Sequence, residues 1–206
     1  MKPALTIGLT GGVASGKSVV AAMFVSLGAA LVDTDLIARE VVAPGEPGLA
    51  AIRAQFGDSV LTVSGELDRA KMRKLVFADP AKRRALESTL HPLIRARTLQ
   101  RLDAAVGPYV LVAVPLLVET GFGQLVDRVL VIDCPASQQI ERLMKRDGMT
   151  EAAARTMVEA QADRATRLRA AQDVVDNSGT IDTTRQQVQS LHERYLALAA
   201  QRRNEG

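Results

Sequence analysis

The sequence predicts an α/β fold in which helices flank a parallel five-stranded β-sheet. Five short runs of mostly β-branched and aliphatic residues recur along the chain, each followed by polar or helix-forming sequence. They are residues 5–10 (LTIGLT), 30–33 (ALVD), 109–114 (YVLVAV), 128–133 (RVLVID) and 173–177 (DVVDN). Strands that alternate with helices form parallel sheets, because each helix returns the chain to the edge at which the next strand begins. The 206 residues, 47% of them hydrophobic, are enough to bury the core of one domain, 1–206.

The gap between the second and third runs is the longest and predicts a helical insertion over residues 36–107. It contains the helical run LIAREVV, the Pro/Gly-rich turn segment PGEPG, a turn at Gly65 and a long helical pattern that begins at Pro80. We expect Pro92 to break or kink this longest helix, because proline lacks a backbone N–H. In parallel sheets, substrate-binding parts usually lie at the carboxyl edge, which is where we expect this insertion.

The sequence after the fourth run predicts further helices. SQQIERLMKRDG should form a helix that ends at Gly148, and Thr150 can cap a second helix running through EAAARTMVEAQADRATRLRAA. The last helix, from about Asp182, should pack back on the sheet through one apolar stripe. That stripe consists of Val188, Leu191, Tyr195 and Leu198.

Composition narrows the classes of partner. A net charge of +3 favours a small anionic partner, whereas 3% aromatic residues and no tryptophan argue against a nucleic acid. No apolar run approaches the roughly 20 residues of a membrane helix, and the N-terminus lacks a signal-cleavage pattern. We therefore expect no membrane partner and a cytoplasmic location. The single cysteine, Cys134, is expected in the core, and the sequence does not indicate an oligomeric state.

Residues 11–18, GGVASGKS, match the pattern G-x-x-x-x-G-K-[ST] between a predicted strand and a predicted helix. A glycine-rich turn can direct successive backbone N–H groups at a phosphate, with the positive end of the following helix behind them. We therefore expect ATP here, with Lys17 bridging the β- and γ-phosphates and Ser18 ligating Mg²⁺. A flexible turn, the alternative, does not require lysine before serine. The expected nucleotide-binding residues of the loop are Gly11, Gly12, Val13, Ala14, Ser15, Gly16, Lys17, Ser18 and Val19.

The second run ends in VDTD, so Asp33 and Asp35 lie two residues apart. On an extended segment both carboxylates would project to the same side, near the carboxyl edge of the sheet. One could hold Mg²⁺ through water while the other accepts a proton from an attacking hydroxyl. Alternatively, the acids serve the next helix, with Asp35 as its N-cap.

Several cationic and polar residues are further candidates. Arg39 lies one helical turn beyond Asp35 and could face the substrate or form a surface ion pair. Arg142 and Arg146 form an i, i+4 pair, which favours a lid that neutralises the γ-phosphate, although a solvated helix face would also explain it. We expect a catalytic role for Arg142 and a nucleotide contact for Arg146.

Of the two histidines, His192 is expected to be structural, whereas His91 can contact substrate or be structural. Glu119 follows PLLV near the expected acceptor site and could instead cap a helix. Asn177 follows the last strand, where an adenine edge could meet its amide, and its alternative is a turn.

Together these motifs resemble those of the dephospho-coenzyme A kinases. GLTGGVASGKS is followed by VDTDLIAREVV, LDR, LHPLI, PLLVE and DNSG, in the order and at about the spacing of that family. The resemblance extends from Ile7 to about Leu198. It implies a P-loop NTPase-type fold with a helical CoA-binding insertion at 36–107 and a helical lid at about 140–170.

The resemblance also implies an activity, the ATP-dependent phosphorylation of the ribose 3′-hydroxyl of dephospho-CoA. The products are CoA and ADP, the last step of CoA biosynthesis, with Mg²⁺ as cofactor. The family's roles place ATP on Lys17 and its loop, and assign Arg142 to the lid. They make Asp35 the base, with Asp33 beside it.

The loop departs from the family in small ways. Members commonly have Ile-Gly where this chain has Val13-Ala14, and Thr where it has Val19. We expect the loop to accept the change if Ala14 adopts a negative φ. Val19 lacks a hydroxyl that could bind the α-phosphate, so ATP affinity can differ.

Two other classes of function remain open. Another small P-loop nucleotide or metabolite kinase would have much the same fold. A nucleotide-dependent switch is disfavoured, because the chain has no NKxD motif and no LSGGQ-like signature.

Overall fold

The computed structural model describes residues 5–115, 117 and 122–205. The chain forms two compact units. The first unit is Met1–Asp33 with Leu102–Gly206, and the second unit is Thr34–Arg101. The expected insertion, 36–107, overlaps the second unit except for its last residues, which belong to the first.

The first unit is built on the predicted five-stranded parallel sheet. Its strands are β1 Thr6–Gly11, β2 Ala30–Asp33, β3 Val110–Ala113, β4 Arg128–Asp133 and β5 Asp173–Asp176, and neighbouring strands are parallel. The strand order is β2-β3-β1-β4-β5, so β1 is central and the connections change direction beside it. In parallel sheets, ligands bind at the carboxyl ends of strands at such a switch point. β1 is buried throughout and ends there.

The helices follow the strands in the alternation that the sequence predicts. In chain order they are α1 Lys17–Ser26, α2 Thr34–Glu40, α3 Pro47–Phe56, α4 Arg69–Ala78, α5 Pro80–Asp103, α6 Ala136–Asp147, α7 Glu151–Glu159, α8 Arg164–Ala170 and α9 Ile181–Glu205. Short 3-10 turns occupy Asp58–Val60 and Phe122–Leu125. Within the described ranges, no helix is both long and apolar enough to cross a membrane.

The helices after β4 confirm two expected caps and correct one expected helix. Gly148 ends α6 with a left-handed φ of 65°, and the Thr150 side chain accepts a hydrogen bond from the Ala153 amide at the start of α7. The single helix expected after Thr150 is wrong, because α7 ends at Glu159 and α8 begins at Arg164. Asp163 accepts the Thr166 amide N–H at 2.8 Å and so starts a new helix.

The core of the first unit lies between the sheet and helices α1 and α9. The apolar stripe predicted for α9 is confirmed, because Val188 and Tyr195 are fully buried and its leucines pack against the same cluster. His192 is also buried, and its Nδ1 lies 2.8 Å from the Tyr109 hydroxyl, which gives it the expected structural role. Cys134 is buried, as expected.

The second unit consists of α2 to α4 and most of α5. A break at Pro92 is wrong, because α5 is one helix of 24 residues, whereas the alternative of a kink stays a prediction. Proline removes one hydrogen bond, and ion pairs hold α5 in place on the preceding segments. Arg97 contacts Glu46 and Arg101 contacts Glu40, each through a nitrogen–oxygen distance of 3.0 Å.

Candidate active site

The phosphate-loop motif lies between the end of central strand β1 and the start of α1. Gly11 is the last residue of β1 and Lys17 the first of α1. The turn between them is closed by a hydrogen bond of 3.0 Å from the Ser15 amide to the Gly12 carbonyl. Gly16 precedes the helix with a φ of 97°, a conformation that favours glycine. This strand–loop–helix arrangement is the one expected of a phosphate-binding loop.

The condition placed on Ala14 is not met, because its φ is 56°. Ala14 is the only non-glycine residue with positive φ among those that the structure describes. Its side chain and that of Val13 pack against an apolar cluster of α6 and α7, and this contact fixes the loop in a conformation that alanine alone disfavours.

The carbonyls of the loop are held by side chains of α6 and of the segment after β5. Nη1 of Arg142, on α6, donates to the Ala14 and Ser15 carbonyls at 3.2 Å each, and Nη2 donates to the Asn177 carbonyl at 2.7 Å. The Asn177 side-chain amide donates to the same Ser15 carbonyl at 2.7 Å. Because N–H and C=O point oppositely across a peptide plane, groups that hold the carbonyls direct the amides of the loop away from themselves.

The Asn177 side chain is bonded to protein groups through both of its polar atoms. Its Oδ1 accepts the Thr184 hydroxyl at 2.9 Å, while its Nδ2 is bonded to Ser15. A Cβ on Gly16 would collide with this same amide, so the glycine allows the close approach. The side chain therefore joins the end of β5 to the phosphate loop.

Inside the loop, Ser15 is 1% exposed, and its hydroxyl has no hydrogen-bond partner among the described residues. A buried hydroxyl without a partner costs free energy unless a ligand or water satisfies it. Ser18 and Val19, by contrast, are exposed on the first turn of α1. They line a shallow groove of about 600 Å³ between α1 and α9, together with Ala22, Met23, Ser26, Ile181 and Arg185.

Arg142 and Arg146 differ in their surroundings although they are one turn apart on α6. Arg142 contacts the loop as described above. Arg146 points away, with its guanidinium on the Asp147 carboxylate at 2.7 Å and its side chain 62% exposed. Hydrogen bonding from Arg146 lowers the pKa of Asp147. The structure therefore brings only the first arginine of the pair to the phosphate loop.

Three residues at the loop were not expected from the sequence. A Cβ on Gly12 would collide with the carboxamide of Gln139 and lie 3.1 Å from Nη2 of Arg167. Both side chains therefore lie close against the loop backbone at Gly12. Gln161 accepts the Val13 amide. No local pattern marks these residues, because each reaches the loop through long-range packing of α6, α7 or α8. Only the polarity of Gln139 and Arg167 at buried positions could have signalled them, and burial is not visible in one sequence.

The two acidic candidates lie on different elements. Asp33 is the last residue of β2, whereas α2 begins at Thr34 and contains Asp35 in its first turn. The expected shared projection from one extended segment is therefore wrong, and so is the expectation that Asp35 is the N-cap. The helix begins at Thr34, two residues earlier than an N-cap at Asp35 would place it, so the extended segment ends at Asp33.

The remaining candidates lie in the second unit or outside the described residues. Arg39 is exposed on α2, at i+4 from Asp35, and His91 is exposed on α5. Glu119 falls outside the described residues. Within the described ranges, no group of three or more His, Cys, Asp and Glu side chains is arranged to hold a metal ion.

Known proteins match this chain over nearly its full length. The family model described as dephospho-CoA kinase matches residues 5–183. A dephospho-CoA kinase of Thiobacillus denitrificans is 49% identical over 198 residues, which cover 96% of this chain and 98% of that protein.

Solved structures agree in fold. A Thermus thermophilus crystal structure has a TM-score of 0.82 at 28% identity, covering 94% of this chain and 98% of that one. A dephospho-CoA kinase from Campylobacter jejuni has a TM-score of 0.68 at 26% identity, covering 92% and 96% respectively. The phosphate loop on the central strand, the parallel sheet and these full-length matches lead to one conclusion: the chain belongs to the dephospho-CoA kinase family.

Proposed function

We propose that this protein transfers the γ-phosphoryl group of ATP to the ribose 3′-hydroxyl of dephospho-CoA, giving CoA and ADP. The observation that carries the proposal is the phosphate loop at the end of the central strand, in a chain of this family. The 3′-oxygen forms a bond to the γ-phosphorus while the bond to the β–γ bridging oxygen breaks. The hydroxyl proton passes to a base, and ADP leaves.

The loop residues 11–19 bind the triphosphate in this proposal. Backbone amides of the loop from Gly12 to Lys17 receive the phosphate oxygens, except those of Val13 and Ser15, which are bonded within the protein. The buried Ser15 hydroxyl, which lacks a protein partner among the described residues, fits a site completed by ligand or water. Lys17 bridges the β- and γ-phosphates. Arg142 keeps the loop in this orientation through its carbonyl contacts, and its charge lies close enough to the loop to favour the anion.

Ser18 is the residue that would hold Mg²⁺. Ser18 is exposed at the first turn of α1, and Mg²⁺ takes oxygen ligands from a few protein groups, substrate phosphates and water. Bound there, the ion supplies positive charge to the phosphate oxygens. Lys17 would share that neutralising role from the same turn.

The acceptor side of the site is assigned to Asp35 as the base, with Asp33 beside it along the chain. A carboxylate suffices, because phosphoryl transfer depends mostly on in-line positioning and charge neutralisation. Arg39, His91 and Glu119 are proposed to contact dephospho-CoA. The second unit then corresponds to the CoA-binding insertion, and residues from about 140 to 170 form the lid, whose cationic residues include Arg146.

Three further expectations stay predictions. They are a cytoplasmic location, the absence of a nucleic-acid or membrane partner, and the nucleotide contacts of Arg146 and Asn177. The rival function is another small metabolite or nucleotide kinase on the same fold.

An acceptor screen separates the two functions. The purified protein with ATP and Mg²⁺ is offered dephospho-CoA, nucleoside monophosphates and small polyols in turn, and ADP formation is measured. We expect stimulation by dephospho-CoA alone. Equal or greater stimulation by another acceptor would favour the rival.

A further inference from the structure

The tip of the phosphate loop, Val13 and Ala14, is held by a side chain to which the proposed reaction gives no role. The Val13 amide donates a hydrogen bond of 2.7 Å to Oε1 of Gln161. Gln161 lies 148 residues further along the chain, in the short segment between α7 and α8. One loop donor is thus occupied by a neutral amide oxygen.

The segment that carries Gln161 is anchored on both sides. The Gln161 amide donates to the Val158 carbonyl at 3.3 Å, which ties the segment to the end of α7. On the other side, Asp163 caps α8, and Arg167 on that helix donates to the Ala162 carbonyl. The carboxamide therefore projects from a fixed point of the backbone.

An apolar contact reinforces the hydrogen bond. The side chains of Val13 and Ala14 pack against buried residues of α6 and α7, of which Leu143 and Ala154 are fully buried. The cluster consists of Ile140, Leu143 and Ala154, with Met149 and Val158 packed against it. The side chains of the loop tip therefore pack on α6 and α7, while Gln161 accepts a hydrogen bond from its backbone N–H at Val13.

Gln161 and Arg142 act on peptide planes on either side of the Val13–Ala14 peptide. Gln161 accepts a hydrogen bond from the Val13 N–H, and Arg142 donates hydrogen bonds to the Ala14 and Ser15 carbonyls. Between them lies Ala14, with a φ of 56°. A residue persists in a disfavoured conformation only where its surroundings over-determine it, and these contacts do so.

We propose that Gln161 is a positioning residue for the nucleotide site. By fixing the peptide plane between Gly12 and Val13, its oxygen helps to set the direction of the later loop amides that receive the phosphates. We place the action of Gln161 on the loop, because its Oε1 is bonded to the Val13 amide. The inference rests on the proposed function in taking the ligand of the loop to be ATP.

The test replaces Gln161 with methionine, which has a similar length but no acceptor oxygen. Gln172→Met is the matched control, because Gln172 Oε1 also accepts a backbone amide at 2.7 Å, that of Val129, but away from the loop. For each variant we would measure ADP affinity by calorimetry, the KM for ATP and for dephospho-CoA, and the melting temperature.

We expect Gln161→Met to weaken ADP binding and raise the KM for ATP about fivefold, the factor that corresponds to one net hydrogen bond. Its KM for dephospho-CoA should stay within the error of the wild type. Gln172→Met should change only the melting temperature, because its bond supports the sheet.

The proposal is overturned if Gln161→Met changes only the melting temperature, as the control does, or raises both KM values equally, which would indicate general distortion. The ADP titration needs no acceptor. A wild-type protein that binds ADP but leaves dephospho-CoA unchanged would therefore refute the proposed function while the effect of Gln161→Met on ADP affinity still decides the role of Gln161.

Discussion

At the scale of single residues, the phosphate loop shows what a sequence can and cannot predict. Gly16, Lys17 and Ser18 are recognisable because their roles depend on residue type and spacing. The conformation of Ala14 is not, because its φ of 56° is set by contacts with distant helices. For the same reason the sequence did not reveal Gln139 and Gln161.

Ala14→Gly should relieve the backbone strain of the loop. Glycine enters the left-handed region without the Cβ clash, so we expect the free energy of unfolding to stay equal or rise by up to about 1 kcal/mol. Urea unfolding measures this. Gly148→Ala is the matched reverse change, because Gly148 has a φ of 65° with no heavy atom near its missing Cβ, and it should destabilise. A clear loss of stability in Ala14→Gly would contradict the account.

Asp35→Asn tests the proposed base. The variant cannot take the hydroxyl proton, so we expect turnover to fall about 100-fold or more, the usual contribution of general base catalysis. ATP affinity should remain nearly unchanged.

Asp58→Asn is the control for Asp35→Asn, since it removes another exposed carboxylate of the second unit. It should leave turnover unchanged. ATP affinity that falls as steeply as turnover in Asp35→Asn would instead assign Asp35 to metal or nucleotide binding.

At the scale of elements, the helix boundaries were predictable where one residue decides them. Thr150 caps α7 and Gly148 ends α6 because a hydroxyl acceptor and a left-handed glycine act locally. The cap at Asp163 was missed, because it lies within a continuous helical pattern of sequence. A helix break at Pro92 was expected from the missing N–H alone, but α5 is continuous through it. The start of α2 at Thr34 moved Asp35 from the expected cap into the helix.

The Asp163 cap should make α8 sensitive to acid. Hydrogen bonds from the Thr166 hydroxyl and amide lower the pKa of Asp163. Folding therefore favours the carboxylate, and its contribution is complete above the ordinary aspartate pKa and lost as the pH falls through the lowered value.

The measurement for Asp163 compares the wild type with Asp163→Asn, which can cap a helix without titrating. Amide hydrogen exchange of α8 should show a wild-type advantage at neutral pH that shrinks between about pH 5 and pH 2. A difference that is constant over this range would mean that Asp163 does not act through its charge.

At the scale of the whole molecule, the sequence predicted the strands but not their order. The order β2-β3-β1-β4-β5 follows from long-range pairing that no local pattern encodes. Part of that pairing depends on Asp173, whose side chain is 1% exposed and contacts Arg128 of β4 and Arg194 of α9 at 2.9 Å each. Burial, with Asp173 beside it, raises the pKa of Tyr195, so its hydroxyl stays a donor to Asp173.

Asp173→Ala should destabilise the first unit strongly. It leaves Arg128 and the Tyr195 hydroxyl without their acceptor, and breaking a buried pair costs about 3 kcal/mol or more. Denaturant unfolding followed by circular dichroism measures the loss. Asp182→Ala, which removes an exposed ion pair with Arg185, should change stability by no more than about 0.5 kcal/mol. Similar losses in the two variants would contradict the structural role given to Asp173.

The most direct test of the central claim is the product formed from ATP and dephospho-CoA by the purified protein with Mg²⁺. Mass spectrometry with fragmentation would identify the product and locate any added phosphate. We predict a gain of one phosphate on the ribose 3′-hydroxyl, with one ADP released for each CoA formed. Unchanged dephospho-CoA in the presence of a folded, ADP-binding protein would contradict the account.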